Sequence, residues 1–389
     1  MKLNDLIRKR ILRYLNEGGN ITVRGVSAEK IDFKKIPIRE MREKFFKLFE
    51  ELNKLYYKEY NEHLWRDMEA IRAGVNYNGS TSFILNPDYD EDEIVKYKKS
   101  SGDVDIVIPE DCKEKLWRLL EKYEDKKIGD FIYIGNNRNS EDALGDQINA
   151  IFRYENKNGV TNCQVDFEYA KYSKGRQSEW SSFSHSSSFE DAKERVKGVF
   201  HKQLLACIAR SLSVNPNIVI ATNASTPEKI RLKKDDGRVP ATQSFSVVHG
   251  LGTKLTPMLK DGAPVYLDGK QVYKEIRADD YTTNLESIFK ALFKKKGDIK
   301  DMRSFVGVCR LLKTQPKKFV KEVLENFVYS MFSVKAGRVD NNLESDYEVK
   351  DNVYKKFVEI TGVKLEDYEE IRDNYYSVNR REDDVLISI

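Results

Sequence analysis

The stretch Gly102-Asp103-Val104-Asp105-Ile106-Val107-Ile108 alternates polar and apolar residues. Side chains on a strand point to opposite faces in turn. Val104, Ile106 and Ile108 are therefore expected to enter a core, while Asp103 and Asp105 share the other face. Two carboxylates two residues apart on one face repel each other, and a positive charge held between them best explains the arrangement. Hard divalent cations such as Mg²⁺ favour carboxylate oxygens. A second stretch, Gln164-Val165-Asp166-Phe167-Glu168-Tyr169, repeats the alternation. Gln164, Asp166 and Glu168 share one face, and Val165, Phe167 and Tyr169 the other. If the two strands lie side by side, Asp166 joins Asp103 and Asp105. Such a cluster can hold two metals about 3.5–4 Å apart, suited to in-line displacement at phosphorus.

Working outward, a helical pattern rich in Leu, Phe, Tyr and paired charges runs from about Ile38 to Ala73 and stops at Gly74. Val75-Asn76-Tyr77-Asn78 then leads into Gly79-Ser80-Thr81-Ser82. Glycine lets backbone approach a phosphate closely, and a nest of N–H groups binds anions. Ser80 is thus a candidate grip for the β- or γ-phosphate of a nucleoside triphosphate. Downstream, Cys112 to Tyr123 reads as a helix and Phe131-Ile132-Tyr133-Ile134 as a short strand. Ile148–Glu155 and Val160–Tyr169 flank Asn156-Lys157-Asn158-Gly159, a hairpin signal with glycine at the turn. The order is helix, Gly-Ser turn, strand, helix, strand, strand, strand. It implies an α+β fold, a mixed sheet with helices packed on it.

A Gly-Ser turn, an Asp-x-Asp strand followed by apolar residues, and a later strand aspartate together resemble the DNA polymerase beta-like nucleotidyltransferase superfamily. The resemblance covers roughly residues 60–170. It implies that Gly79 and Ser80 form the phosphate-binding turn, that Asp103 and Asp105 are the metal pair, and that Asp166 is the third carboxylate. It further implies Mg²⁺ or Mn²⁺ as cofactor and transfer of a nucleoside monophosphate from a triphosphate, ATP among them, to a hydroxyl, with release of pyrophosphate. The chain departs from the family in one respect. Here 22 residues lie between Ser80 and Asp103, whereas family members hold the two much closer. The Asn-Pro and acidic run of Asn86-Pro87-Asp88-Tyr89-Asp90-Glu91-Asp92-Glu93, continuing to Ser101, reads as a solvated inserted loop. Lys98 and Lys99 stand near the aspartates in sequence, within reach of phosphates.

The 389 residues suggest two to three domains. We expect a catalytic domain with N-terminal helices over 1–200. A helical C-terminal region should follow over 201–389, with a β-rich insertion at about 218–276. Residues 3–16 read as a basic amphipathic helix, docked with a solvated polar face. The Ser-rich 173–188 reads as a mobile loop or linker, and Phe189–Leu212 as a helix. Lys+Arg number 67 against 63 Asp+Glu, so nucleic-acid affinity has to come from a local patch rather than bulk charge. Lys294-Lys295-Lys296 and Lys317-Lys318 are such patches, although the nearby Phe289, Phe293 and Phe319 fall at helical spacing and are expected in a core.

Cys112, Cys163, Cys207 and Cys309 are far apart, with no CxxC pair, and read as reduced thiols of a cytoplasmic protein. The N-terminus has no signal-peptide pattern, and no run of about 18 apolar residues suggests a membrane span. His185, His201 and His249 show no metal-ligand spacing and are read as packing or surface residues, with Lys202 or His201 a lesser candidate for facing the nucleotide. Val248-His249-Gly250-Leu251-Gly252-Thr253-Lys254 lacks the Walker spacing and reads as a strand-joining turn. The expected activity is metal-dependent nucleotidyl transfer, with an RNA 3′ end the favoured acceptor. Transfer to a protein or small molecule, and cyclic or oligonucleotide synthesis, are the alternatives within the enzyme class. A non-catalytic nucleotide- or nucleic-acid-binding protein is the alternative outside it.

Overall fold

A computed structural model describes residues 36–136, 147–156, 159–212, 243–253, 281–294, 296–332 and 346–373, together with the backbone of short strand pieces at 219–221, 229–231 and within 259–274. The helix expected over 3–16, the turn residues Lys157 and Asn158, and most of the expected β-rich insertion lie outside the described residues. The chain divides into two units, Met1–Arg195 and Val196–Ile389.

The first unit starts on helix α1 (Ile38–Tyr60). Its apolar residues recur at three- and four-residue spacing, and Ile38, Met41, Phe45, Leu48, Phe49, Leu52 and Tyr56 are all fully buried. The single helix expected to Ala73 is corrected: α1 ends at Asn61, whose φ of 56° closes the helix through an N–H bond to the Tyr57 carbonyl. Asparagine enters the left-handed region at low cost, so it terminates a helix where most residues would continue it. The chain then buries Trp65 and restarts as a short helix, Met68–Arg72, capped by the Asp67 side chain.

Asn53 makes that break possible. Its side chain accepts from the Trp65 N–H at 3.0 Å and donates to the Trp65 carbonyl at 3.1 Å. The Trp65 indole N–H in turn donates to the Val107 carbonyl at 2.9 Å. Replacing Asn53 by Leu orphans two buried backbone groups of Trp65. Urea unfolding is expected to show a loss of about 2–4 kcal/mol; an unchanged midpoint would show that Asn53 does not hold the break.

The sheet has five strands: β1 (Asp103–Pro109), β2 (Lys127–Ile128), β3 (Phe131–Asn136), β4 (Gln147–Asn156) and β5 (Gly159–Ala170). Their order is β1-β5-β4-β3-β2, with β1 parallel to β5 and the other pairs antiparallel. The β4–β5 hairpin follows the glycine-bearing turn. The chain crosses from β1 through the helix Lys113–Lys122, which ends the run read as helix from Cys112. Val104, Ile106, Ile108, Val165 and Phe167 are fully buried, as the alternation requires. The core closes on α1, with the Phe45 ring 5.4 Å from Phe131 and 6.4 Å from Tyr154. Burying each such side chain contributes roughly 1.5–3 kcal/mol.

Residues 86–101, expected as a solvated loop, are folded. They contain helix α2 (Glu91–Tyr97), capped by the Asp90 carboxylate, with Ile94 fully buried. Carboxylates in a first helical turn oppose the helix dipole favourably, so the acidic run is a helix start rather than a loop signal. Arg42 of α1 donates to the carbonyls of Ile84, Asn86 and Tyr89 at 2.7–2.9 Å. Arg39 pairs with Glu91 and Asp92, and Lys193 with Glu93. Phe83, Tyr89 and Tyr97 pack their rings about Phe189. Ser100-Ser101 then pairs antiparallel with Ile36-Pro37.

The Ser-rich segment is likewise structured rather than a mobile loop. Tyr172-Ser173 pairs with Arg176-Gln177, and a helix follows over Glu179–His185, capped by Ser178. Serine here supplies caps, which a compositional reading takes for flexibility. The helix expected over Phe189–Leu212 is two pieces, Phe189–Lys193 and Gly198–Ser211, separated by Arg195 at φ 57°.

In the second unit, helices Gly198–Ser211, Leu285–Phe293, Phe305–Lys313, Lys317–Phe332 and Asp346–Thr361 surround a core that includes Phe305, Phe327 and Phe357. A hairpin joins Gln243–Ser246 to Gly250–Thr253 through residues 247–249, so of the strand-joining turn expected over 248–254 only Val248 and His249 lie in the turn, and Gly250–Thr253 is itself a strand. Among the described residues, no helix is long and apolar enough to cross a membrane.

Candidate metal centre

The parallel pairing of β1 with β5 sets the site. Asp103 stands opposite Gln164, Asp105 opposite Asp166, and Val107 opposite Glu168. The acidic faces of the two strands thus coincide. One oxygen from each of Asp103, Asp105 and Asp166 lies within 4.8 Å of the others. These are the three carboxylates singled out in the sequence, and the fold brings them together.

Several neighbours hold the cluster in place. Asn149 donates to Asp166 Oδ1 at 2.7 Å, and Gln164 donates to Oδ1 at 2.8 Å and to Oδ2 at 2.9 Å. Sequence reading passed over Asn149. It had a signal, because counting back along the hairpin from Asn156 and Gly159 pairs Asn149 with Asp166. The Asp105 N–H donates to Thr81 Oγ1 at 2.9 Å. Asn78 donates to Glu168, while its buried carbonyl oxygen Oδ1 has no partner.

The electrostatics follow from burial and crowding. Burial, then Asp103, Asp166 and Glu168, hold the Asp105 carboxyl well above the usual range, with Lys98 acting in the opposite sense. Burial pushes Asp166 up to about 7, against the lowering effect of the Asn149 and Gln164 hydrogen bonds. Burial also raises Glu168, against the Asn78 hydrogen bond. Asp105, Asp166 and Glu168, buried on one sheet face, therefore all hold their protons more tightly than free carboxyls do.

Gly79 stands against this cluster, though in a different way from the one expected. Residues 76–78 run beside β1, with Tyr77 bridged to Ile106 and the Asn78 N–H bonded to the Asp105 carbonyl at 3.3 Å. The chain turns at Gly79, φ 50°, and a Cβ there would lie 2.1 Å from Asp105 Oδ2. The Gly79 N–H donates to the His185 carbonyl at 3.0 Å, and its own carbonyl accepts from the Ser187 N–H at 2.9 Å. Its backbone is therefore engaged by the 185–187 segment, and its missing side chain makes room for the Asp105 carboxylate. Ser80 is half-buried, and its hydroxyl accepts from Lys98 Nζ at 2.8 Å. The 22-residue spacing does not separate the Gly-Ser turn from the aspartates, because residues 81–101 leave and return to the same sheet edge.

Of the histidines, only His185 lies by the cluster, where its carbonyl accepts from Gly79 and its ring acts to lower the Glu168 carboxyl. His185 is exposed, with Nδ1 bonded to Ser184 and to the Ser181 carbonyl. His201 is buried in the second unit. Its Nε2 donates to the Met302 carbonyl at 2.7 Å, and burial holds its pKa well below the usual value. Lys202 donates to the other nitrogen of that ring. His249 packs against Tyr281. Phe289 and Phe293 are buried, as their spacing implied, whereas Phe319 is only half-buried, and Lys294, Lys296, Lys317 and Lys318 are exposed.

The donor set suits a hard divalent cation. It offers carboxylate oxygens and neither sulfur nor imidazole, which fits Mg²⁺ or Mn²⁺. No family model matches this chain, and neither a curated protein nor a solved structure does.

Proposed function

We propose that the chain is a metal-dependent nucleotidyltransferase of the DNA polymerase beta-like type, moving a nucleoside monophosphate from a nucleoside triphosphate to a hydroxyl acceptor. One observation carries the reading: Asp105 pairs with Asp166 across parallel strands, two residues beyond Asp103, with the Gly79 turn packed onto the Asp105 carboxylate. Asp103, Asp105 and Asp166 would hold Mg²⁺ or Mn²⁺. A bound ion of this kind supplies Lewis-acid polarisation of phosphate oxygens.

The chain's own residues divide the remaining work. Asn149 and Gln164 fix the orientation of Asp166, and Thr81 anchors the backbone of Asp105. The acceptor oxygen forms a bond to the α-phosphorus, and the bond from that phosphorus to the β-bridging oxygen breaks. Pyrophosphate leaves with the electron pair. The hydroxyl proton passes toward Asp166, whose Oδ2 accepts one hydrogen bond where Oδ1 accepts two.

For the acceptor, an RNA 3′ end is the first choice, supported by the exposed lysines at 294, 296, 317 and 318. The test is direct. The protein is incubated with Mg²⁺, each α-labelled triphosphate, and total RNA or total protein. Label should enter RNA, and Asp103→Ala with Asp105→Ala should reduce it at least about a hundredfold. Label in the protein fraction moves the acceptor to a side chain. Metal-dependent triphosphate binding with no label in any fraction favours a non-catalytic nucleotide-binding protein. Equal transfer by the double variant would remove the aspartates from the site.

A further inference from the structure

Asn78 is 1% exposed, and all but one of its polar groups are accounted for. Its N–H donates to the Asp105 carbonyl at 3.3 Å, and its own carbonyl accepts from the Ser82 N–H at 3.1 Å. Its side-chain nitrogen donates to Glu168 Oε2. The remaining atom, Oδ1, is buried with no hydrogen-bond partner among the described residues. A buried acceptor left unpaired is costly, and a bound positive charge would recover that cost.

The amide head of Asn78 lies among acids. Oδ1 shares its carbon with the nitrogen that meets Glu168, so the orphaned oxygen stands at the carboxylate of β5. Asn78 also directly precedes Gly79, whose missing Cβ makes room for Asp105 Oδ2. The charge of Glu168 reaches the Asp105 carboxyl. Glu168 stands opposite Val107, two residues along β1 from Asp105, and lies beyond the group formed by Asp103, Asp105 and Asp166. It is half-buried, and the Asn78 bond takes Oε2 and leaves Oε1. Two carboxylates and an amide oxygen form a donor set for a hard divalent cation.

We propose that Asn78 Oδ1, Glu168 Oε1 and Asp105 form a further cation position, distinct from any that the three aspartates hold, which takes a hard divalent ion such as Mn²⁺ or Mg²⁺. The inference rests on the proposed metal centre, because Asp105 is shared, and not on nucleotidyl transfer itself. An ion there would offset the charges of Glu168 and Asp105, satisfy Asn78 Oδ1, and tie the turn at Gly79 to β5.

The test counts ions. Mn²⁺ is titrated into the chelator-treated full chain without nucleotide, and free Mn²⁺ is followed by electron paramagnetic resonance. Glu168→Gln keeps an acceptor for the Asn78 amide and should fold. It is expected to weaken one equivalent of Mn²⁺ at least about tenfold and to leave the rest as in wild type. Asp103→Asn should do the converse, keeping the equivalent that Glu168→Gln loses. Asn78→Asp should bind that equivalent more tightly. It should also melt lower than wild type in chelator yet gain more from Mn²⁺, a gain that a purely structural asparagine would not give. Mn²⁺ binding unchanged in Glu168→Gln, or in Asn78→Asp, overturns this position and leaves the aspartate centre standing. Equal weakening of every equivalent by Glu168→Gln, or loss of all of them in Asp103→Asn, also overturns it, because Glu168 then acts only through its charge on one undivided centre. Wild type that binds no Mn²⁺ overturns both this position and the aspartate centre.

Discussion

Replacing Asp103 and Asp105 together by asparagine is expected to raise the melting temperature of the metal-free protein while abolishing its stabilisation by Mn²⁺. The expectation follows from the direction of the carboxyl shifts. Asp105 and Glu168 are raised, and Asp166 is pushed up to about 7, in each case chiefly by burial and further by neighbouring acids. A carboxyl whose folded pKa exceeds its unfolded value of about 3.9 binds a proton more tightly when folded. Stability is then full below the unfolded pKa and falls as pH rises, until the folded pKa is passed near 7. The metal-free wild type should accordingly melt at a higher temperature at pH 5 than at pH 7.5. Asparagine carries no charge, so the double variant should lose the Asp105 share of that slope, while Asp166 and Glu168 keep the share that burial gives them, and should gain on the order of 1–3 kcal/mol at pH 7.5. For a unit of this size the gain corresponds to roughly 3–10 °C.

Added Mn²⁺ should reverse the ranking. Binding to the native state raises wild-type stability, and more so at pH 7.5 than at pH 6, because the metal displaces protons from its ligands. The variant should show no such upshift. The measurement is thermal melting in chelator and in Mn²⁺ at three pH values. A metal-free variant less stable than wild type would mean that the aspartates serve packing. An equal Mn²⁺ upshift in both proteins would place the metal elsewhere.

The site was legible because strands keep a period of two. Val104 against Asp105, and Val165 against Asp166, already separated the apolar face from the acidic one, and the hairpin turn brought the second strand into the sheet. The pairing of β1 with β5 was only conditional in the sequence. No local residue encodes which strand becomes the neighbour of an edge strand joined to it by a long crossover. The errors were of another kind. Asp90-Glu91-Asp92-Glu93 and the serines of 173–188 were read by composition, whereas they act by position, as the first turn of a helix and as caps. Helix breaks at Asn61 and Arg195 need positive φ at residues other than glycine, and tertiary packing about Trp65 decides the first of them. Gly79 was found for a reason that the structure changes. The sequence suggested backbone close to phosphate, while the fold uses the N–H for the His185 carbonyl and the missing Cβ for Asp105.

That change leads to the second large effect, in Gly79→Ala. The added methyl would lie 2.1 Å from Asp105 Oδ2, and the backbone would remain at φ 50°. The left-handed conformation alone costs about 1–2 kcal/mol for a residue with a side chain. The clash adds to it, since the Asp105 carboxylate has to shift away from the new methyl and so from its place in the cluster. Metal affinity should therefore fall at least about tenfold, with transfer following it, and the total loss of stability should be about 2–4 kcal/mol. A double-mutant cycle separates the two causes. In an Asp105→Ala background the methyl has room, so Gly79→Ala should there cost only the backbone share. If Gly79→Ala costs the same in both backgrounds, the glycine serves the turn alone. If its cost drops by 1 kcal/mol or more, Gly79 and Asp105 are one unit, in which the absent side chain sets where the metal ligand stands.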